Sequence, residues 1–113
     1  MPFIHLKTTE KISKESEERL QREFGELICL LPGKSEEWLM TEFSDKCRLH
    51  FKGECEGVAI IEISVFGKCE AEDYNKLTKA ITNAVFFELL IPGDRIYVKY
   101  TECEHWGYDG ENF

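Results

Sequence analysis

The sequence has no apolar run approaching the roughly 18 residues that a membrane-spanning helix requires. Its first twenty residues contain four glutamates and no long apolar stretch, a pattern that is not typical of a secretory signal. Positive charge is scarce, because 14 lysines and arginines face 22 aspartates and glutamates, for a net charge of −8. An acidic chain repels nucleic-acid phosphates and anionic lipid heads. We therefore expect a cytoplasmic protein whose partners are neither nucleic acids nor membranes.

Several motifs of common enzymes are absent as well. The sequence contains no glycine-rich phosphate loop, no HExxH and no GxSxG. Its five cysteines are odd in number and widely spaced, without a CxxC pair, which favours reduced thiols over disulfides or a zinc site. Cys103 and His105 are close in sequence, but two potential ligands are too few for a structural metal. The sequence therefore predicts neither a metal nor a cofactor.

The first half of the chain shows a strand, a helix and a second strand. Residues 3–8 form a short strand pattern, and Ser13 is suited to cap the helix that follows. The apolar residues of this helix recur at helical spacing, at Leu20, Phe24, Leu27, Ile28 and Leu31. Pro32 and Gly33 are predicted to end it, and a strand is predicted at 38–43.

The second half repeats this order. Residues 58–66 are rich in isoleucine and valine, a helix is predicted from about Ala71 to Pro92, and residues 95–101 alternate as a strand. The two helix-ending sequences, LPGK at 31–34 and IPGD at 91–94, are 60 positions apart. The pattern predicts one α/β (α+β) domain over residues 1–113. It consists of a duplicated β-α-β unit, with a four-stranded mixed sheet and two helices on one face.

Helices on one face leave the other face of the predicted sheet uncovered. A bare apolar sheet face is an association site, so we expect the chain to form oligomers through it. The segment 44–57 contains Lys46, Arg48, Lys52 and two glycines, and is predicted to be a connection.

Pro2 is the most distinctive candidate for chemistry. Methionine before a small second residue is usually removed, and Pro2 would then carry a free secondary amine. Amino-terminal amines have pKa values near about 7.7–8.0, and burial or a nearby cation lowers them, so such an amine can act as a general base. Its position alone favours the simpler interpretation of an ordinary second residue. In a chain that keeps Met1, the nitrogen of Pro2 is an amide without a basic lone pair.

Several short motifs, in order and spacing, resemble the macrophage migration inhibitory factor family of the tautomerase superfamily. They are MPFI at 1–4, GK at 33–34, Phe51 and Gly53, SVFGK at 64–68, DRIYV at 94–98 and WGYDGENF at 106–113. The resemblance spans nearly the whole chain. It implies a homotrimer with its active site between subunits, around the amino-terminal proline. It also implies keto–enol tautomerisation of small 2-oxo acids such as phenylpyruvate.

The resemblance assigns roles to individual residues. Pro2 matches the catalytic proline, and Lys34 matches a lysine that would hold the substrate carboxylate and lower the pKa of Pro2. The backbone N–H of Phe66 would bind the same carboxylate, and Tyr97 would enter the site from the neighbouring subunit. An aromatic wall is expected from Phe3, Trp38, Trp106, Tyr108 and Phe113. Each residue also has a structural interpretation, since Lys34 follows a helix end and Tyr97 alternates on a strand.

The sequence departs from the family at informative positions. Phe66 replaces an isoleucine and narrows the pocket. Lys99 replaces an asparagine, and would either bind a more acidic substrate or point away. Val58 and Ile61 stand where a relative has a CxxC pair, so we expect no thiol oxidoreductase activity. A cytokine-like, receptor-binding protein and a catalytically silent trimeric binding protein of the same fold remain the alternatives to an enzyme.

Overall fold

The computed structural model describes all 113 residues and has a four-stranded sheet with strand order β2-β1-β3-β4. In chain order the elements are β1 Pro2–Thr8, α1 Lys14–Leu27, β2 Met40–Ser44, β3 Ala59–Phe66, α2 Ala71–Leu89, β4 Ile96–Cys103, β5 Gly107–Tyr108 and β6 Glu111–Asn112. The outer pairs, β1 with β2 and β3 with β4, are parallel, whereas β1 and β3 are antiparallel. The predicted duplicated unit and mixed sheet are confirmed. Neither helix combines the length and the apolarity that crossing a membrane requires.

The core lies between the two helices and one face of the sheet. Because side chains alternate along a strand, Ile4 and Leu6 of β1 point to the same face as Ile61 and Ile63 of β3. All of them are at most 1 % exposed. The helices fill this face with Leu20, Phe24, Leu77, Ile81 and Val85. The apolar stripes of the sequence therefore form the core.

Both helices end earlier than predicted. The Ser13 side chain accepts a hydrogen bond from the Ser16 N–H at 3.1 Å, which is the expected cap of α1. However, α1 ends at Leu27 and continues as a 3₁₀ turn over Ile28–Leu30. Helix α2 ends because Leu90 adopts a left-handed conformation with φ of 59°, two residues before Pro92. A proline disfavours helical backbone in the preceding residue, so each helix stops upstream of it.

The prediction that a strand begins at Trp38 is wrong. Trp38 belongs to a 3₁₀ turn, Glu36–Trp38, and β2 begins at Met40. The Leu39 N–H donates to the Glu36 carbonyl at 3.1 Å and completes this turn. A bulky aromatic residue favours a strand by propensity, but here a local backbone hydrogen bond decides the conformation.

The open face of the sheet is not the apolar surface that we expected. Side-chain alternation places Glu42, His5, Glu62 and Lys99 on this face, paired in register across β2, β1, β3 and β4. The carboxylate of Glu62 forms ion pairs with the ammonium groups of Lys7 and Lys99, with N···O distances of 3.1 Å and 3.5 Å. The hydrogen bond from Lys7 is the main reason why the pKa of Glu62 is lowered. The centre of this face is therefore a row of polar and charged side chains.

Candidate active site

Two cavities meet at the amino terminus, with volumes of about 610 Å³ and about 470 Å³. Cavities of this size suit small organic ligands. The larger cavity is lined by Met1, Pro2, Phe3, Glu37, Trp38, Leu39, Met40, Ser64, Cys103, Trp106, Gly107 and Tyr108. The smaller cavity is lined by Met1, Gly33, Lys34, Trp38, Phe66, Tyr108 and Phe113. Met1, Trp38 and Tyr108 line both cavities. The two cavities together are called the recess below, and these three residues lie at the boundary between them.

Most of the site residues predicted from the sequence line this recess. They are Pro2, Phe3, Lys34, Phe66, Trp38, Trp106, Tyr108 and Phe113. Their positions follow from the fold, because β1 begins at Pro2 and its neighbour β3 ends at Phe66. The antiparallel register pairs Pro2 with Val65, next to Phe66. The start of one strand and the end of another thus share one edge of the sheet.

Hydrogen bonds connect the backbones of Met1 and Phe66 and the side chain of Lys34 within the recess. The Phe66 N–H donates to the Met1 carbonyl at 3.1 Å. The Lys34 ammonium donates to the Phe66 carbonyl at 2.9 Å, so both backbone groups of Phe66 are occupied. Burial, and then the charge of Lys34, lower the pKa of the Met1 amine below its usual value. The environment therefore favours a neutral amine.

Aromatic rings close the recess. Trp38 meets Tyr108 edge to face, with ring centroids 5.1 Å apart. Phe113 lies 5.8 Å from Phe66 and is stacked with Tyr108 at 6.5 Å. The hairpin β5–β6 carries Tyr108, and the Phe113 N–H donates to the Trp106 carbonyl at 3.0 Å. The last eight residues are thus folded against the site.

Tyr97 and Lys99 lie apart from the other predicted residues. Both are on β4 and point to the open face, where Lys99 pairs with Glu62. Tyr97 is 59 % exposed and meets the ring of Phe51 edge to face at 5.0 Å. Within a single chain, neither residue lines the recess that contains Pro2.

Arg95 organises the surroundings of Tyr97 and was not predicted as a site residue. Its guanidinium donates to the carbonyls of Phe51, Glu54, Glu56 and Gly57. It also lies 5.4 Å from the centre of the Phe51 ring. Arg95 therefore fixes the ring against which Tyr97 packs.

Sequence reasoning also missed Glu37, Ser64 and Cys103, which line the larger cavity. Glu37 follows another glutamate in a polar segment, and such a pair is typical of a solvated surface. Ser64 had a usable signal, because strand alternation places it on the same face as Phe66. Cys103 offered none, since its position depends on the pairing of β4 with β3.

The turn that carries Glu37 and Trp38 lies against helix α1. The end of the flexible Glu36 side chain contacts Gly25. The next two residues of the turn line the larger cavity.

The comparisons with known proteins agree with this architecture. The family described as macrophage migration inhibitory factor matches residues 1–113. The crystal structure of Leishmania major MIF2 is 30 % identical with a TM-score of 0.93, covering 100 % of this chain and 97 % of that one. A homologue of the same factor from Prochlorococcus marinus is 24 % identical, with a TM-score of 0.87 and 98 % of each chain covered. A fused 4-OT described as an asymmetric trimer is 10 % identical, with a TM-score of 0.84 and coverage of 96 % and 94 %. No curated protein matches the sequence.

Proposed function

This chain belongs to the macrophage migration inhibitory factor family, within the tautomerase superfamily, and we propose that it is a keto–enol tautomerase of 2-oxo acids such as phenylpyruvate. The main observation in support is that two groups suited to bind an anion, the Phe66 N–H and the Lys34 ammonium, lie beside the amino terminus. The Phe66 N–H is a donor at the place where the Met1 carbonyl now lies, and Lys34 supplies a cation that is bound to the carbonyl of the same residue, Phe66. In a chain without Met1, the carboxylate of the substrate would accept these contacts.

The proposed reaction needs one base that also acts as an acid. The amine of Pro2 takes a proton from the carbon next to the ketone, and the electron pair of that C–H bond forms the carbon–carbon double bond of the enol. The ketone oxygen then receives the proton back from the Pro2 ammonium. In the chain that keeps Met1, burial and then the charge of Lys34 lower the pKa of the Met1 amine. The same surroundings should favour the neutral Pro2 amine that the first step requires.

Met1 would block this reaction twice. While it remains, the nitrogen of Pro2 is an amide and has no basic lone pair. Its carbonyl also takes the Phe66 N–H, which is the donor that we assign to the substrate carboxylate. Removal of one residue would therefore create the base and free the anion-binding group.

We further propose a homotrimer in which Tyr97 completes the site of a neighbouring subunit. Its exposure on the open face and its distance from the Pro2 recess support this arrangement. The expected cytoplasmic location and the narrowing of the pocket by Phe66 stay predictions.

The test compares two forms of the same sequence, with and without Met1, each verified by mass spectrometry. The form that begins at Pro2 is expected to tautomerise phenylpyruvate, and the form that keeps Met1 should lose about 100-fold or more in kcat/KM. Equal circular dichroism spectra and unfolding midpoints control for folding.

Two outcomes would contradict the proposal. Equal activity of the two forms would exclude Pro2 as the base. If the form without Met1 were inactive on a panel of 2-oxo acids, the alternative of a trimeric, cytokine-like or catalytically silent binding protein would be favoured.

A further inference from the structure

The recess at the amino terminus has an uneven distribution of charge. Among the residues that line its two cavities, only Lys34 and Glu37 have charged side chains. Lys34 lines the smaller cavity beside Phe66, whereas Glu37 lines the larger cavity with Pro2. Counting side chains only, the recess thus has a cation in the smaller cavity and an anion in the larger one.

The carboxylate of Glu37 is available to a ligand. Each acidic partner in the six salt bridges of the chain is Glu42, Glu62, Glu72 or Glu88, so Glu37 is not neutralised. Its neighbour in the turn, Trp38, meets Tyr108 edge to face.

Lys99 does not offset this negative charge within the chain. It lies on the open face of the sheet, where its ammonium is 3.5 Å from Glu62. Within one chain, Lys99 therefore supplies no cation to the recess. In the proposed homotrimer it would approach a neighbouring recess together with Tyr97, because both lie on the same face of β4, so Lys99→Gln is part of the test.

We propose that Glu37 is a specificity-determining residue of this site. It selects 2-oxo acids whose end distal to the carboxylate is neutral, cationic or a hydrogen-bond donor, and it disfavours a second carboxylate. This inference rests on the proposed function for the orientation of the substrate, with its acid group at Lys34. Two like charges about 4 Å apart in water change an equilibrium by roughly fivefold, and more where water is excluded.

The experiment measures binding, so that it does not depend on turnover. Cinnamate, 4-carboxycinnamate and 4-(aminomethyl)cinnamate have no ketone and cannot tautomerise. Trp38 and Trp106 line the larger cavity, so their fluorescence reports occupancy. Dissociation constants are measured, always in chains without Met1, for the unchanged sequence, for Glu37→Gln and for Lys99→Gln. The control is Glu36→Gln, which removes the same charge from the same turn but lies outside the cavity.

Wild type is expected to bind 4-carboxycinnamate more weakly than cinnamate. Glu37→Gln should reduce that ratio roughly fivefold and weaken 4-(aminomethyl)cinnamate relative to cinnamate by a similar factor. Glu36→Gln should leave both ratios unchanged.

Four results would overturn the inference. They are unchanged ratios in Glu37→Gln, an equal change in Glu36→Gln, ratios that move only with Lys99→Gln, and no binding of cinnamate. Charge selection that depends on Glu37 without turnover of phenylpyruvate would instead refute the proposed function and leave this inference standing.

Discussion

At the scale of the residue, the site depends on what surrounds one amino terminus. Pro2 and Lys34 were predicted because each belongs to a short motif that resembles the family, MPFI at 1–4 and GK at 33–34. The hydrogen bonds to both backbone groups of Phe66 were not predictable. One comes from the Lys34 side chain, 32 positions away, and the other goes to the Met1 backbone, 65 positions away, and contacts over such separations leave no mark on the sequence. Glu37 was missed for a different reason, because an exposed pair of glutamates is usually solvated.

Lys34→Gln tests the electrostatic part of the site. Lys34 is the second cause, after burial, of the lowered pKa of the Met1 amine. In the chain that begins at Pro2, loss of this cation should raise the pKa of the Pro2 amine, because its charged form is no longer repelled. The base is active only when neutral, so the acid limb of kcat/KM against pH should move to higher pH. Loss of a charge-assisted contact to the carboxylate should also raise KM by about tenfold or more.

The matched control is Lys68→Gln, which removes a lysine that lines neither cavity of the recess. Its pH profile and KM should equal those of wild type. A pH profile unchanged in Lys34→Gln would show that this lysine does not influence the base.

At the scale of the element, the sequence predicted the type and order of the main helices and strands. Apolar spacing is a local property, and it is strong in both halves of the chain. The row of polar and charged side chains on the open face was not predicted, because His5, Glu62 and Lys99 meet only through strand register. The end of α2 was displaced because Leu90, two residues before Pro92, adopts the left-handed conformation that caps the helix.

Leu90→Gly is expected to stabilise the protein. Leu90 adopts φ of 59°, a conformation that is costly for a residue with a Cβ, and its side chain is 78 % exposed. Glycine should relieve the strain and lose little burial, for a net gain of about 0.5–1 kcal/mol in the free energy of unfolding. Urea denaturation should show a higher midpoint with an unchanged slope.

Phe87→Gly gives the opposite control, since Phe87 is similarly exposed but lies within α2. Glycine inside a helix should reduce the free energy of unfolding by roughly 1 kcal/mol. A loss of stability in Leu90→Gly as well would mean that the Leu90 side chain contributes contacts that outweigh its backbone strain.

At the scale of the whole molecule, the predicted site residues fall into two groups on one chain. Pro2 and its neighbours form the recess, whereas Tyr97 lies on the open face against Phe51. The proposed homotrimer explains this division, because the second group of one subunit would complete the recess of the next.

Mixed oligomers test that explanation. Pro2→Gly and Tyr97→Ala, both without Met1, are each expected to reduce tautomerase activity. When the two variants are unfolded and refolded together, some sites should combine an intact Pro2 from one subunit with an intact Tyr97 from another. The mixture should then exceed the summed activities of the separately refolded variants. Activity equal to that sum would place Pro2 and Tyr97 in independent roles.

The contact between the Met1 carbonyl and the Phe66 N–H has a consequence for how much enzyme a cell possesses. Every unprocessed chain would be a folded but silent subunit, so the abundance of the protein would overstate its catalytic capacity. In the proposed homotrimer, cleavage of the Met1–Pro2 peptide bond in each subunit would activate the sites one at a time. Removal of Met1 by an aminopeptidase, rather than synthesis of the chain, would then determine the amount of active enzyme.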